Sequence, residues 1–194
     1  MLTLLGAAPD DVLIDVRRVV DISGFGTTVQ RRLGIGFTAQ EFSDRVREGK
    51  VLGHAGFPQS ISVVGRALGR PVTRIEPEMS PVFVDQPIAL ADGSTITSDL
   101  SSGVDQTYRA FEDGVCWYTA RFLGHVALDQ IEQAPRDTIT LLRRGEVYQE
   151  IDITPAFQPQ IGSRHMLANS IDRVFNATPG WLTVADLPPA SLRH

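Results

Sequence analysis

The sequence predicts an α+β domain, with helices packed on one face of a largely antiparallel sheet. Three observations carry that expectation. Two helix-start signals fall within residues 31–60, and the hydrophobic pattern switches to period two from Val72 to Ile153, punctuated by turn dipeptides. A helical period returns near the C-terminal end. With 194 residues and 42% hydrophobic composition, residues 1–194 are expected to form a single domain able to bury a core.

Val12 to Ile22 is rich in β-branched residues and reads as a strand. Gly24-Phe25-Gly26-Thr27-Thr28-Val29 follows it and invites comparison with a dinucleotide-binding loop. Val29 stands where the third glycine belongs, and no alternating β-α pattern continues, so a two-glycine turn is the preferred reading. Thr38 has the character of an N-cap, with Glu41 completing a capping box and Phe37 placed to staple against Phe42. That helix runs to about Glu48 and stops at Gly49. Pro58 opens a second helix with Ile61, Val64 and Leu68 inward and Gly69 at its end. Asp92-Gly93 marks a turn. Glu112-Asp113-Gly114 joins strands 103–111 and 115–126, and Arg143-Arg144-Gly145 joins 137–142 and 146–153. Ser163 to Ala177 reads as a helix with Leu167, Ile171, Val174 and Phe175 on its inward stripe, ended by Pro179-Gly180.

The formal net charge of −5 and pI near 5.3 argue against nucleic acid and membrane surfaces as partners. A single cysteine, Cys116, excludes an internal disulfide. Met1 to Ala8 lacks the basic lead-in of a signal peptide, and no apolar run reaches membrane-spanning length, so a cytoplasmic protein is expected. His54, His125, His165 and His194 are far apart without a metal-ligand spacing, so no metal is expected. There is no GxxxxGK[ST] and no GxSxG, so no nucleotide cofactor and no serine nucleophile is expected within this chain.

His54 is the first candidate. It lies between Gly53 and Gly56, just before a helix N-terminus, where a histidine can move protons and exposed backbone N–H groups can hold an oxygen. The bland reading, a histidine that only ties down its loop, is the commoner outcome for such a residue. Gln59 and Ser60 in the first turn offer further polar contacts. On the 103–126 hairpin, Asp105 shares a face with Thr107 and Arg109, while Trp117, Thr119, Arg121 and His125 share a face of the next strand. If the faces coincide, Asp105, Arg121 and His125 form a charged patch; a solvated face with cross-strand ion pairs is slightly preferred. On the last helix His165, Asn169, Asp172 and Asn176 fall opposite the apolar stripe, with His165 and Asn169 closest to the helix start.

The segments RRLGIGFTAQEF (31–42), GHAGFPQSISVVGRALG (53–69), GVDQTYRAFEDG (103–114) and NSIDRVFNATPGWLTVADLP (169–188) resemble, in order, the C-terminal domain of 2,4-diaminopentanoate dehydrogenases and related amine dehydrogenases, themselves related to dihydrodipicolinate reductase. The resemblance implies an open, largely antiparallel mixed sheet that lines the substrate pocket and forms a homodimer. It also implies an N-terminal Rossmann domain that binds NAD(P), which the chain as given does not carry. Two positions depart from the family pattern: Gln59, where many relatives have an acidic residue, and Ser163, where a Gly-Asp pair is expected. Fewer carboxylates near the pocket suit a substrate that is not a cationic amine.

Three functions follow from that reading. The leading expectation is a stand-alone, cofactor-independent isomerase, cyclase or lyase acting on a neutral, fairly apolar small molecule. His54, Asp105 and His125 would then serve as acid/base groups. Gln59, Ser60, Tyr108, Trp117, Arg121, His165 and Asn169 would contact the substrate. The alternatives are the substrate-binding and dimerisation subunit of a split NAD(P)-dependent dehydrogenase, docked to a separate Rossmann-fold subunit through Met1-Leu2-Leu4-Leu5, and a non-catalytic binding module.

Overall fold

A computed structural model describes residues 8–184 and 186–187. The Met1-Leu2-Leu4-Leu5 segment and His194 lie outside the described residues. The elements run β1 (Leu13–Asp21), α1 (Thr27–Arg32), α2 (Ala39–Arg47), α3 (Phe57–Leu68), β2 (Arg74–Val82), β3 (Ile88–Ala89), β4 (Thr95–Ile96), β5 (Gly103–Glu112), β6 (Val115–His125), a 3-10 turn (Leu128–Ile131), β7 (Arg136–Arg143), β8 (Glu146–Ile153) and α4 (Pro159–Phe175). Six strands form one sheet in the order β2-β5-β6-β1-β7-β8, and β3 pairs with β4 in a separate ribbon. Every neighbour in the large sheet is antiparallel except β1 and β6, which run parallel. The result is the mixed, open α+β arrangement.

Local chemistry explains the boundaries. At α2 the Thr38 hydroxyl accepts from the Glu41 amide at 3.3 Å and the Glu41 carboxylate accepts from the Thr38 amide at 3.0 Å. Phe37 and Phe42, on either side of that cap, are both buried. The two hairpins turn through Asp113-Gly114 (φ 48° and 85°) and Arg144-Gly145 (φ 54° and 83°), the paired left-handed residues of a tight hairpin.

Register assigns the two faces. Ile14, Val16 and Val20 of β1 share a face with Tyr118, Ala120 and Phe122 of β6 and with Val104 of β5. These residues pack beneath Phe42, Phe57, Ile61 and Val64 of the helices to form the core. The opposite face is polar, with Arg109 bonded to Glu78 at 2.8 Å and Arg121 beside Asp15 at 3.4 Å.

Two expectations are corrected. Pairing passes from Ala110 with Tyr118 to Phe111 with Cys116, so Trp117 is the extra residue of a β-bulge. The bulge turns Trp117 away from Thr119 and Arg121 and under α3, where it is fully buried with the Arg70 guanidinium 4.7 Å above its ring. The second correction concerns α4, which starts at Pro159 rather than Ser163 and buries no residue. Leu167 is 73% exposed and Phe175 85%, with Ile171 and Val174 also exposed. The apolar stripe is real, but it faces away from this chain's own core.

Candidate functional site

β1 carries Arg18 at an inward position, flanked by Val16 and Val20 and level with Phe122 on β6 and Asp137 on β7. Gly53, His54 and Gly56 cross above it on the way into α3, and Phe25 and Pro159 approach from the side. Together these residues enclose a cleft of about 270 Å³. A second cleft of about 360 Å³ shares Val20, Phe25 and Pro159 with it and continues past Pro135 and Phe157.

His54 is held from three directions. Its backbone amide donates to Gln106 Oε1 at 2.7 Å, and its ring stacks on Phe57 with centroids 4.3 Å apart. Phe122 lies at 5.2 Å on the third side. Gln106, wholly buried, in turn donates through Nε2 to the Tyr108 hydroxyl at 3.2 Å. Gly53 must be glycine here: its φ is +54°, and a Cβ would lie 2.6 Å from Gln106 Oε1. Burial, reinforced by the charge of Arg18, holds the His54 imidazole below its ordinary value, so the ring is neutral at pH 7. Nδ1 is buried without a partner among the described residues, which leaves Nε2 as the accessible ring nitrogen.

Arg18 donates from Nε to Asp137 Oδ1 at 2.8 Å, so the guanidinium is fixed in plane at the floor of the cleft. Neither Arg18 nor Gln106 was among the sequence candidates. Both carry a readable signal, since each is a polar residue at an apolar-facing position of a period-two strand.

The other candidates fall elsewhere. Asp105 is exposed on the open sheet face, opposite Leu123 rather than Arg121. Arg121 turns to Asp15. His125 is fully buried: its Nδ1 accepts from the Ala127 amide at 3.0 Å, so Nε2 carries the proton and donates to Ser102 Oγ at 2.8 Å. Asp105 and His125 are therefore not brought to His54. Gln59 and Ser60 are exposed on the first turn of α3, and neither lines the cleft. Tyr108 touches the site through Gln106 and through Phe57, to whose ring it lies edge-on at 5.7 Å, and it does not line the cleft. Burial raises the Tyr108 phenol above its ordinary value. Trp117 lies under α3, His165 is exposed on α4, and Asn169 is half-buried with its carbonyl accepting from Arg173 at 2.5 Å. No group of three or more His, Cys, Asp or Glu among the described residues is arranged to hold a metal ion. No helix among them is long and apolar enough to cross a membrane.

Comparison with known proteins gives this geometry a class. The fold is that of the amine dehydrogenase from Mycobacterium smegmatis, whose solved structure matches 99% of this chain and 55% of its own length with a TM-score of 0.82 at 19% identity. The family model of the 2,4-diaminopentanoate dehydrogenase C-terminal domain matches residues 1–193, and the chain belongs to that family. The 2,4-diaminopentanoate dehydrogenase of Acetoanaerobium sticklandii is 29% identical over 177 residues, which are 89% of this chain and 48% of that enzyme. The chain thus spans about half the length of the relatives it matches. These findings overturn the expected cofactor-independent isomerase, cyclase or lyase, because the family and its relatives are dehydrogenases. Lost acidic positions were weak ground for a change of reaction class.

Proposed function

We propose that this chain is the substrate-binding part of an NAD(P)-dependent amine dehydrogenase or reductase, working against a nucleotide-binding Rossmann domain. The observation that carries this reading is α4, whose apolar stripe stands unburied while its first residue, Pro159, forms part of the cleft wall. Exposed apolar area of this kind marks an interaction surface rather than ordinary solvent-facing helix.

Among the described residues, the Gly24-Phe25-Gly26 turn lacks the build of a dinucleotide cradle. Gly24-Phe25-Gly26 leads into a helix of only six residues, with Val29 where close backbone approach needs glycine. No step through a nicotinamide is assigned to these residues. Their part is to hold and orient the substrate: His54 lines the cleft, Gln106 accepts from its backbone amide, and Phe25 and Phe122 give the cleft apolar walls. Pairing of two copies through the open sheet face belongs to the same reading, and sedimentation of the purified chain tests it.

The main test supplies the nucleotide-binding half of the Acetoanaerobium sticklandii enzyme in trans. NAD(P)H oxidation with ammonia and small ketones or keto acids is then followed. Activity in the mixture, none with either part alone, and loss in the pair Leu167→Glu and Ile171→Glu are expected. A mixture that neither binds nor turns over would remove the reading.

A further inference from the structure

We propose that Phe25 is a swinging gate between the His54 cleft and the cleft beside it, and so sets the length of the aliphatic chain that the site accepts. This rests on the substrate-site reading above and assigns the size selection of that site to one residue.

The two clefts meet at a shared wall of Val20, Phe25 and Pro159. Val20 is buried in the central strand β1, and Pro159 opens α4 with a ring that fixes its backbone. Phe25 is different: it is half-buried and stands in the turn between β1 and α1. On one side of it lie Leu33 and Phe122, and on the other Pro135, Pro155 and Phe157, so a hydrocarbon chain would find apolar surface in both directions. Arg18, at the floor of the first cleft, is already ion-paired with Asp137 at 2.8 Å. The separate volumes of about 270 and 360 Å³ lie at the low end of the roughly 300–1,000 Å³ of small-molecule sites, and the joined space falls well inside that range.

The glycines flanking Phe25 supply the second observation. Neither has a left-handed φ, and a Cβ on either would meet nothing within 4 Å, so the static fold requires glycine at neither position. Gly26 is the N-cap of α1, where a Ser or Asp side chain would hold the first turn, and it makes no such bond. The chain on either side is firmly held. The buried Gln30 side chain donates to the carbonyls of Ile22 at 2.9 Å and Ser23 at 3.2 Å, the Ser23 amide donates to Asp21 at 2.8 Å, and the Thr27 hydroxyl donates to Asp92 at 3.3 Å. Between these fixed points Phe25 is tied by its amide to the Ile22 carbonyl at 3.1 Å, with a residue lacking Cβ before and after it. Backbone freedom that no turn or close contact demands, confined to the two neighbours of one ring, is what a movement of that ring needs.

The test titrates the whole chain, without nucleotide or partner, with 2-pentanone and 2-nonanone, read by calorimetry and by the proton resonances of the Phe25, Phe122 and Phe157 rings. 2-Pentanone is expected to shift Phe122 and leave Phe157 unmoved. 2-Nonanone should shift both and bind on the order of a hundredfold tighter, since four more methylenes leave water. Gly24→Ala with Gly26→Ser should cut that preference below about tenfold and leave 2-pentanone binding as in wild type, because the stiffened turn holds the ring in place. Adding Phe25→Ala to that pair should restore the preference, a coupling that a merely structural role for the glycines would not produce. A preference untouched by the glycine pair, one that Phe25→Ala fails to restore, a 2-nonanone complex with Phe157 unmoved, or no saturable binding of either ketone would each overturn the proposal. If the triple variant fails to fold, the glycine pair and the wild-type ring resonances still decide it. No nucleotide-binding half takes part, so a failed gate leaves activity in trans standing, and an inactive mixture in trans leaves the length dependence standing.

Discussion

Two histidines show how burial sorts residues of the same type into different roles. His125 has both ring nitrogens engaged, by the Ala127 amide and by Ser102, so it acts as an internal brace. His54 has one nitrogen buried without a partner and one accessible, which keeps it available to a ligand. Burial lowers both from the ordinary value of 6.5, so the folded protein holds them neutral while the unfolded chain takes up protons as pH falls below that value. Their stabilising contribution is complete above about 6.5 and is lost as pH drops from there through the folded values. Thermal melts taken downward from neutral pH should show a falling midpoint, with a shallower fall in His54→Asn; identical slopes would refute this. Gly53→Ala should cost roughly 1–3 kcal/mol in chemical denaturation, because it forces a side chain into a left-handed position against Gln106. That glycine-histidine pair was legible in the sequence. Arg18 and Gln106 were not among the sequence candidates, although period-two spacing places each among inward-facing neighbours, because a single polar residue on a strand does not show whether it lines a cleft or pairs within the core.

At the scale of elements, the strongest local signals were the most faithful. The capping box at Thr38 and the two hairpin turns are present as read, since each depends only on residues within a few positions of one another. The failures are those that depend on a distant neighbour. Strict alternation along β6 placed Trp117 on the wrong face, because one extra residue in a bulge reverses the sides and leaves no mark in composition. The stripe on α4 was correctly read as apolar and wrongly read as inward, because a hydrophobic period reports that a helix needs a partner and not which partner it has. The double change Leu167→Glu and Ile171→Glu should therefore leave the unfolding free energy of the isolated chain, read by chemical denaturation, within about 0.5 kcal/mol of wild type, the ordinary range for surface positions. A large destabilisation would mean that α4 packs on its own chain after all.

For the molecule as a whole, the sheet order was not readable from strand signals alone. Neighbouring strands joined by tight turns, β5 with β6 and β7 with β8, follow directly from the sequence. The placement of β1 between β6 and β7 does not, because no turn connects them and the contact closes over residues 22–114. Family likeness supplied the open, mixed character of the sheet but not its strand order, and the family's dehydrogenases speak against the non-redox chemistry inferred from two missing carboxylates. The central position of β1 has a consequence for biosynthesis. The strand that organises the sheet is made before every other strand described, yet its parallel neighbour begins only at Val115. At translation speeds of roughly 5–20 residues per second, β1 waits about 5–20 s after it is made before β6 has emerged. During that interval its apolar residues have no sheet to join, so nascent chains stalled before β6 are the ones a ribosome-associated chaperone would be called on to shield.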